Sequence, residues 1–195
     1  MIVRGIPTAL WTWIPLATAL AVRRAVIDLL PADWSPRITI KWPNDLLVDR
    51  RKLAGILAEG IASGSGGGVQ AVVLGYGINV MPAAFPPELA PIVTSLETEL
   101  GRPVDRAAVC AESLATLAAR YEDLLAGRFD AVLDAWRGRA FGAVGARVEW
   151  DTPAGVRHGT TEGIDRAGAL LVRTGDGLER LVAGEVRWGL HAARH

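Results

Sequence analysis

Residues 41–60 constrain this chain more than any other stretch. Lys41-Trp42-Pro43-Asn44-Asp45 sets an amine, an indole, a rigid ring, an amide and a carboxylate in five consecutive positions. Such a density of polar function beside apolar sequence is costly to bury unless it serves a purpose. Leu46-Leu47-Val48 then reads as strand and Asp49-Arg50-Arg51 as turn. The run 52–59 reads as a returning buried strand, in which Gly55 removes a side chain so that something can approach the backbone closely. This hairpin is expected to bring Asp45 and Lys52 together at the same end. Taken singly, each residue fits a capped β-hairpin with a solvated lysine equally well; their combination is what carries information.

The rest of the chain supplies partners for that hairpin. Leu16, Leu20, Ile27 and Leu30 fall near one face of a helix over 16–30, with Arg23, Arg24 and Asp28 mostly off it and Pro31 as the stop. Residues 31–36 read as loop and 38–40 as strand. The uncharged run 6–22 is interrupted by Pro7 and Pro15 and is shorter than the roughly 20 apolar residues of a membrane span. It also lacks a convincing signal-peptide pattern, so a buried helix is the better reading. The Gly/Ser-rich run 62–68 reads as a long hairpin loop, leading into a strand over 69–74. Four prolines make 81–91 an irregular surface segment.

Asp105 is a suitable N-cap for a helix over 106–125, with Leu114, Leu117, Tyr121 and Leu124 on one stripe and Gly127 ending it. A short helix over 129–136 follows. From Gly145 the texture changes to short alternating segments separated by Asp-Thr-Pro, Asp165-Arg166-Ala167-Gly168 and Gly175-Asp176-Gly177 turns. These predict a small antiparallel β-barrel appended to the main unit.

The 195 residues suit one ordinary domain with an appendage, and a hydrophobic fraction of 50% allows a sizeable core. Formal net charge is zero, against a nucleic-acid-binding role, which needs a basic face. The single cysteine, Cys110, excludes an internal disulfide and fits a reducing cytoplasm; among alanines it reads as a small buried apolar residue. The scattered His158, His191 and His195 do not have metal-site spacing.

Lys-Trp-Pro-Asn-Asp followed seven residues after the Asp by Lys52-Leu53-Ala54-Gly55-Ile56-Leu57 resembles the catalytic signature of biotin protein ligases. Gly75-Tyr76-Gly77-Ile78-Asn79-Val80 resembles the same family's Gly-x-Gly-Ile-Asn segment, and Gly184-Glu185-Val186-Arg187 its Gly-Glu-(Ile/Val)-Ser segment. The resemblance implies an α+β fold. Its class II synthetase-like catalytic domain, a mixed or antiparallel sheet packed with helices, would span 1–140, and an SH3-like barrel 141–195. It implies an ATP- and Mg²⁺-dependent enzyme that forms biotinyl-5′-AMP. The biotin then passes to a lysine of a biotin carboxyl carrier protein.

On that resemblance, Lys52 and Asp45 are the catalytic pair. Lys52, Gly55, Ile56, Leu57 and Trp42 are placed toward biotin, and Lys41, Asn44, Asn79, Glu185 and Arg187 toward ATP. Arg187 stands where the family's arginine comes a few residues later. Asp45 is left with three roles open: proton acceptor for the incoming lysine, its orienter, or a Mg²⁺ ligand. Trp42 is as well explained by core packing. The family's Gly-Arg-Gly-Arg-x-x-Arg loop and its DNA-binding winged helix have no counterpart here. An N-terminally incomplete ligase is therefore expected, or a relative that binds biotin, nucleotide or carrier without turnover. A lipoate-type ligase shares the catalytic fold, but the Lys-Trp-Pro-Asn-Asp form and the barrel favour biotin. A homodimer stays open; nucleic acid and membrane are not expected partners.

Overall fold

The computed structural model describes residues 1–4, 11–62, 69–82, 86, 88, 89 and 91–189. Five antiparallel strands form the first sheet in the order β1-β5-β4-β3-β2: β1 Ile2–Arg4, β2 Ile38–Lys41, β3 Asp45–Val48, β4 Arg51–Ala62 and β5 Val69–Ile78. Ala62 pairs with Val69, so β4 and β5 form a hairpin; the glycine-rich connection itself lies outside the described residues. The expected α+β architecture is borne out.

Helix α1, Trp13–Asp28, begins three residues earlier than its apolar pattern suggested. Pro15 sits in the first turn, where a missing N–H breaks no helical bond. The helix is buried on nearly every side, between α3 (Arg106–Leu125) and strands β2, β3 and β4. That enclosure corrects the expectation for Arg23, which is buried: its Nε donates to Ile38 O at 2.7 Å and its Nη2 to Ser35 O at 2.6 Å. Burial, with repulsion from Arg139 added, lowers this guanidinium to about 10. Residues Ala32–Arg37, expected as loop, form a 3-10 helix.

In α3 the Asp105 carboxylate accepts from Ala107 N at 2.8 Å and Ala108 N at 3.3 Å, capping the helix as anticipated. Its buried side is Val109, Ser113, Leu117 and Leu124. Leu114 and Cys110 are exposed, against expectation, because this face meets α1 one helical position away from them. Short helices α2 (Leu96–Leu100) and α4 (Phe129–Arg137) complete the helical layer.

The second sheet is antiparallel in the order β10-β6-β7-β8-β9, comprising β6 Val144–Thr152, β7 Gly155–Ile164, β8 Leu170–Thr174, β9 Gly177–Leu181 and β10 Val186–Trp188. It is the expected SH3-like unit. Ala146, Val148 and Trp150 point inward along β6 while Arg147 and Glu149 point out, which is the period-2 alternation read from the sequence. No helix among the described residues is long and apolar enough to cross a membrane.

One polar cluster is built into this frame. The Glu99 side chain is only 4% exposed, and accepts from Arg37 Nη2 at 3.0 Å, Arg51 Nη2 at 2.5 Å and Thr94 Oγ1 at 2.6 Å. Arg37 also pairs with Asp49 in the β3–β4 turn. Asp49 and Arg50 both adopt positive φ, 45° and 76°, which favours this tight turn; Asp tolerates that conformation, whereas Arg does so only under strain. The ionic cluster holds the turn in place. Replacing Glu99 by Ala removes the shared acceptor of Arg37, Arg51 and Thr94, while both arginines keep access to water and Arg37 keeps Asp49, so the fold should lose about 1–3 kcal/mol. Chemical denaturation of Glu99→Ala against the parent chain checks this.

Candidate active site

Hairpin register decides where the key side chains meet. Asp45 pairs with Gly55 and Leu47 with Lys52, with an irregularity between Leu46 and Leu47. Asp45 and Lys52 thus do not share one end of the hairpin. Lys52 lies close to the turn, Asp45 at the far end, and the long lysine side chain runs along the strand to close the gap. Lys52 Nζ comes to 2.7 Å from Asp45 Oδ1.

The pair passes over Gly55. A Cβ at Gly55 would stand 3.2 Å from both Lys52 Cε and Nζ, and 3.4 Å from Asp45 Oδ1. Gly55 therefore clears space for the ammonium and its carboxylate, and does not itself line either neighbouring cavity. The Lys52 side chain stays 46% exposed and that of Asp45 19%. The ammonium is thus held on one side and open on the other. Its backbone is clamped as well: Lys52 N donates to Ile92 O at 2.7 Å, and Thr94 N donates to Lys52 O at 2.9 Å.

Two cavities meet at this pair. The larger, about 650 Å³, is bounded by Lys41, Asn44, Asp45 and Lys52, by Ile56, Leu57 and Ala58 of β4, and by residues 182–186 opposite. Leu57, expected in a buried strand, is 57% exposed because its side of β4 faces this hollow. The smaller, about 540 Å³, takes Arg50, Arg51, Phe141 and Trp188 as further walls. Lys41, Asp45, Lys52 and Glu185 line both. Lys41 Nζ also lies 5.3 Å from the Trp188 ring centroid, and the Arg50 guanidinium 5.4 Å from that of Phe141.

Other residues singled out in the sequence lie differently. Asn44 lines the larger cavity, but its Nδ2 donates to Ile56 O at 2.5 Å and its own O accepts from Ile56 N at 2.9 Å, so it ties the open end of the hairpin to β4. Asn79 lines neither cavity; its Nδ2 donates to Thr94 O at 3.0 Å and Lys52 O at 3.4 Å, supporting the backbone behind Lys52. Arg187 is outside both and is paired with Asp151 at 2.6 and 3.1 Å. Trp42 lines the larger cavity, is 2% exposed, and precedes a cis bond to Pro43. Sequence reasoning missed Arg50, Phe141, Trp188, Val182 and Ala183, whereas Gly184 belongs to the Gly-Glu-Val-Arg segment already singled out. Only the aromatic residues among those missed stand out as chemistry; Val182 and Ala183 have no signal except their place between two strands.

This arrangement defines an open, cation-bearing two-chamber site at the junction of an α+β layer and an SH3-like sheet. Residues 8–79 match the Biotin/lipoate A/B protein ligase family, and residues 145–187 match the Biotin protein ligase C terminal domain. The chain is 40% identical over 172 residues to the biotin--[acetyl-CoA-carboxylase] ligase of Paracoccus denitrificans, covering 85% of this chain and 70% of that protein. It is 36% identical over 152 residues to the bifunctional ligase/repressor BirA of Bacillus subtilis, covering 77% of this chain and 46% of BirA. The chain thus spans about half the length of such bifunctional relatives. The biotin protein ligase of Aquifex aeolicus has the same fold, with TM-score 0.76 at 23% identity, covering 92% of this chain and 75% of that one. The chain belongs to the biotin protein ligase family.

The clearance at Gly55 has a measurable consequence. Its φ is not in the left-handed region, so Gly55→Ala should leave stability within about 1 kcal/mol of the parent. The added methyl should nevertheless push the Lys52 amine off Asp45. Denaturation midpoints together with the acetylation rate of Lys52 by acetic anhydride, read by mass spectrometry, check both halves. Unchanged stability with faster Lys52 acylation is expected.

Proposed function

We propose that this chain is an ATP-dependent ligase that makes biotinyl-5′-AMP and passes biotin to a lysine of a biotin carboxyl carrier domain in the cytoplasm. Residues 1–140 would serve as its catalytic unit and 141–195 as its C-terminal unit. The observation that carries this reading is the seam between the two cavities. A condensation of two small molecules needs two adjoining compartments with the reacting atoms at their border, and that border here holds the Lys52 ammonium. The larger hollow lies within the usual 300–1,000 Å³ of small-ligand sites. Relatives at 40% and 36% identity are named biotin--[acetyl-CoA-carboxylase] ligases, and the Aquifex aeolicus ligase has been solved with biotin and ATP.

In the first half-reaction a biotin carboxylate oxygen attacks the α-phosphorus of ATP. The bond from that phosphorus to the bridging oxygen breaks, and pyrophosphate leaves with the electron pair. Two anions must meet, so the barrier is largely electrostatic. Lys52 at the seam faces both, and Lys41 adds a second positive charge lining both chambers. Ile56, Leu57 and Ala58 give biotin an apolar wall, while Arg50 and Arg51 make the smaller chamber the better home for phosphates. In the second half-reaction a neutral lysine amine attacks the acyl carbon, AMP departs with the electrons of the C–O bond, and the nitrogen gives up one proton. Asp45 is the carboxylate beside that point.

Among the described residues no group of three His, Cys, Asp or Glu could cage a metal ion. Asp45 and Glu185, which line both cavities, would be the carboxylates to help hold a Mg²⁺ carried mainly by ATP phosphates and water, the usual mode for this cation. The ion would add charge neutralisation when bound.

Pyrophosphate release from ATP and Mg²⁺, with and without biotin, tests the reading. Biotin-dependent release is expected, and Lys52→Ala should lower it by about 10²–10³-fold while calorimetry still detects biotin. A parent chain that releases no biotin-dependent pyrophosphate would rule out the ligase reading.

A further inference from the structure

The larger cavity is walled by two different sheets. Lys52, Asp45 and Asn44 come from the first, and residues 182–186 follow β9 of the second. Its width therefore depends on how the sheets are joined. Next to the site the joint runs through Trp42, one residue beyond Lys41 and two before Asn44. The Trp42 indole Nε1 donates to Gly168 O at 3.0 Å, and the side chain is buried.

Gly168 belongs to a turn held rigidly from within. Asp165 Oδ1 accepts from Ala167 N at 2.8 Å and Ala169 N at 3.0 Å, and Asp165 Oδ2 accepts from Arg180 Nε at 2.6 Å. Arg180 lies on β9, two residues before Val182. On its other side the turn presses against α1. Gly168 has φ +80°, and a Cβ there would stand 2.8 Å from Leu16 Cδ1 and 3.4 Å from Thr12 O. Only glycine allows both this backbone conformation and this closeness. A continuous path thus runs from Trp42 through Gly168, Asp165 and Arg180 to the wall beginning at Val182. A hollow of about 220 Å³ beside the path is lined by Trp42, Gly168 and Val182, so the joint has space into which it can yield.

We propose that Trp42 and Gly168 are positioning residues that set the gap between the Lys52–Asp45 pair and the 182–186 wall. On this view Trp42 acts through the wall, and its near-complete burial reflects the joint more than contact with ligand. The proposal deepens the ligase reading and rests on it for its kinetic consequence, although the geometric consequence does not depend on any activity.

Two variants probe it. Gly168→Ala forces the turn away from α1, and Trp42→Phe keeps an aromatic ring while removing the indole donor. Spin labels on Glu59→Cys and Ala183→Cys, both exposed, in a Cys110→Ser background report the separation of strand and wall. Both joint variants should lengthen and broaden that distance distribution. Leu117→Ala, a core change in α3, should destabilise the chain without altering it. In turnover, the joint variants should raise KM for biotin by roughly tenfold with kcat nearly unchanged, since a misplaced wall weakens positioning. Leu117→Ala should leave KM alone. Distances and KM that stay at parental values in both joint variants would overturn the proposal. A parent chain without turnover would sink the ligase reading, while the distance measurement still decides the joint.

Discussion

The position of one ammonium group organises this molecule. Lysine is a flexible residue, and an unrestrained amine on a half-exposed strand would spend most of its time in water. Here three restraints act at once. The backbone is hydrogen-bonded on both sides to residues 92 and 94, the Nζ is taken by Asp45, and Gly55 leaves the space through which the side chain runs. None of these is strong alone: a part-exposed ion pair contributes little to stability. Their value lies in fixing direction, so that the free side of the ammonium faces the seam of two cavities.

That fixing reaches outward through the polar core. Segment 92–94 is itself held, because Asn79 donates to Thr94 O and the Thr94 hydroxyl donates to Glu99. Glu99 in turn gathers Arg37 and Arg51, and Arg37 reaches Asp49 in the turn. A carboxylate taken so far out of water is costly unless fully paired, and here its partners come from the hairpin (Arg51), the segment behind it (Thr94) and the 3-10 helix leading into β2 (Arg37). The arrangement exchanges stability that an apolar cluster could supply for a defined hairpin geometry. Asn79, placed toward ATP by its motif, sits behind Lys52: its amide serves the lysine's backbone and lies outside both cavities.

Legibility in the sequence divided along the same line. Local signals were readable wherever one interaction sufficed. The Asp105 cap, the helix it starts, the alternation of β6 and the closeness of Asp45 to Lys52 all followed from short-range pattern. What escaped depended on distant neighbours. Arg23 is buried because backbone carbonyls of Ser35 and Ile38 await it, and Cys110 is exposed because α1 covers the neighbouring face of α3. Leu57 appears in an apolar run yet lines an open hollow. Periodicity shows that a residue is apolar; it does not show whether the space opposite is filled by protein or left for a ligand.

The same limit bears on Gly55. Read as sequence, a glycine in a strand before Ile-Leu admits either a ligand or another part of the chain to the backbone, and the first seemed the more chemical choice. The coordinates assign the space to the lysine–aspartate pair. The two readings lead to different physics. A glycine that admits ligand acts on affinity alone, whereas one that admits the ammonium acts on the charge that must lie between carboxylate and phosphate. Because transition-state stabilisation grows with how well that charge is placed, a methyl group at this position bears on rate more than on binding. The smallest side chain in the motif therefore governs the placement of its most reactive one.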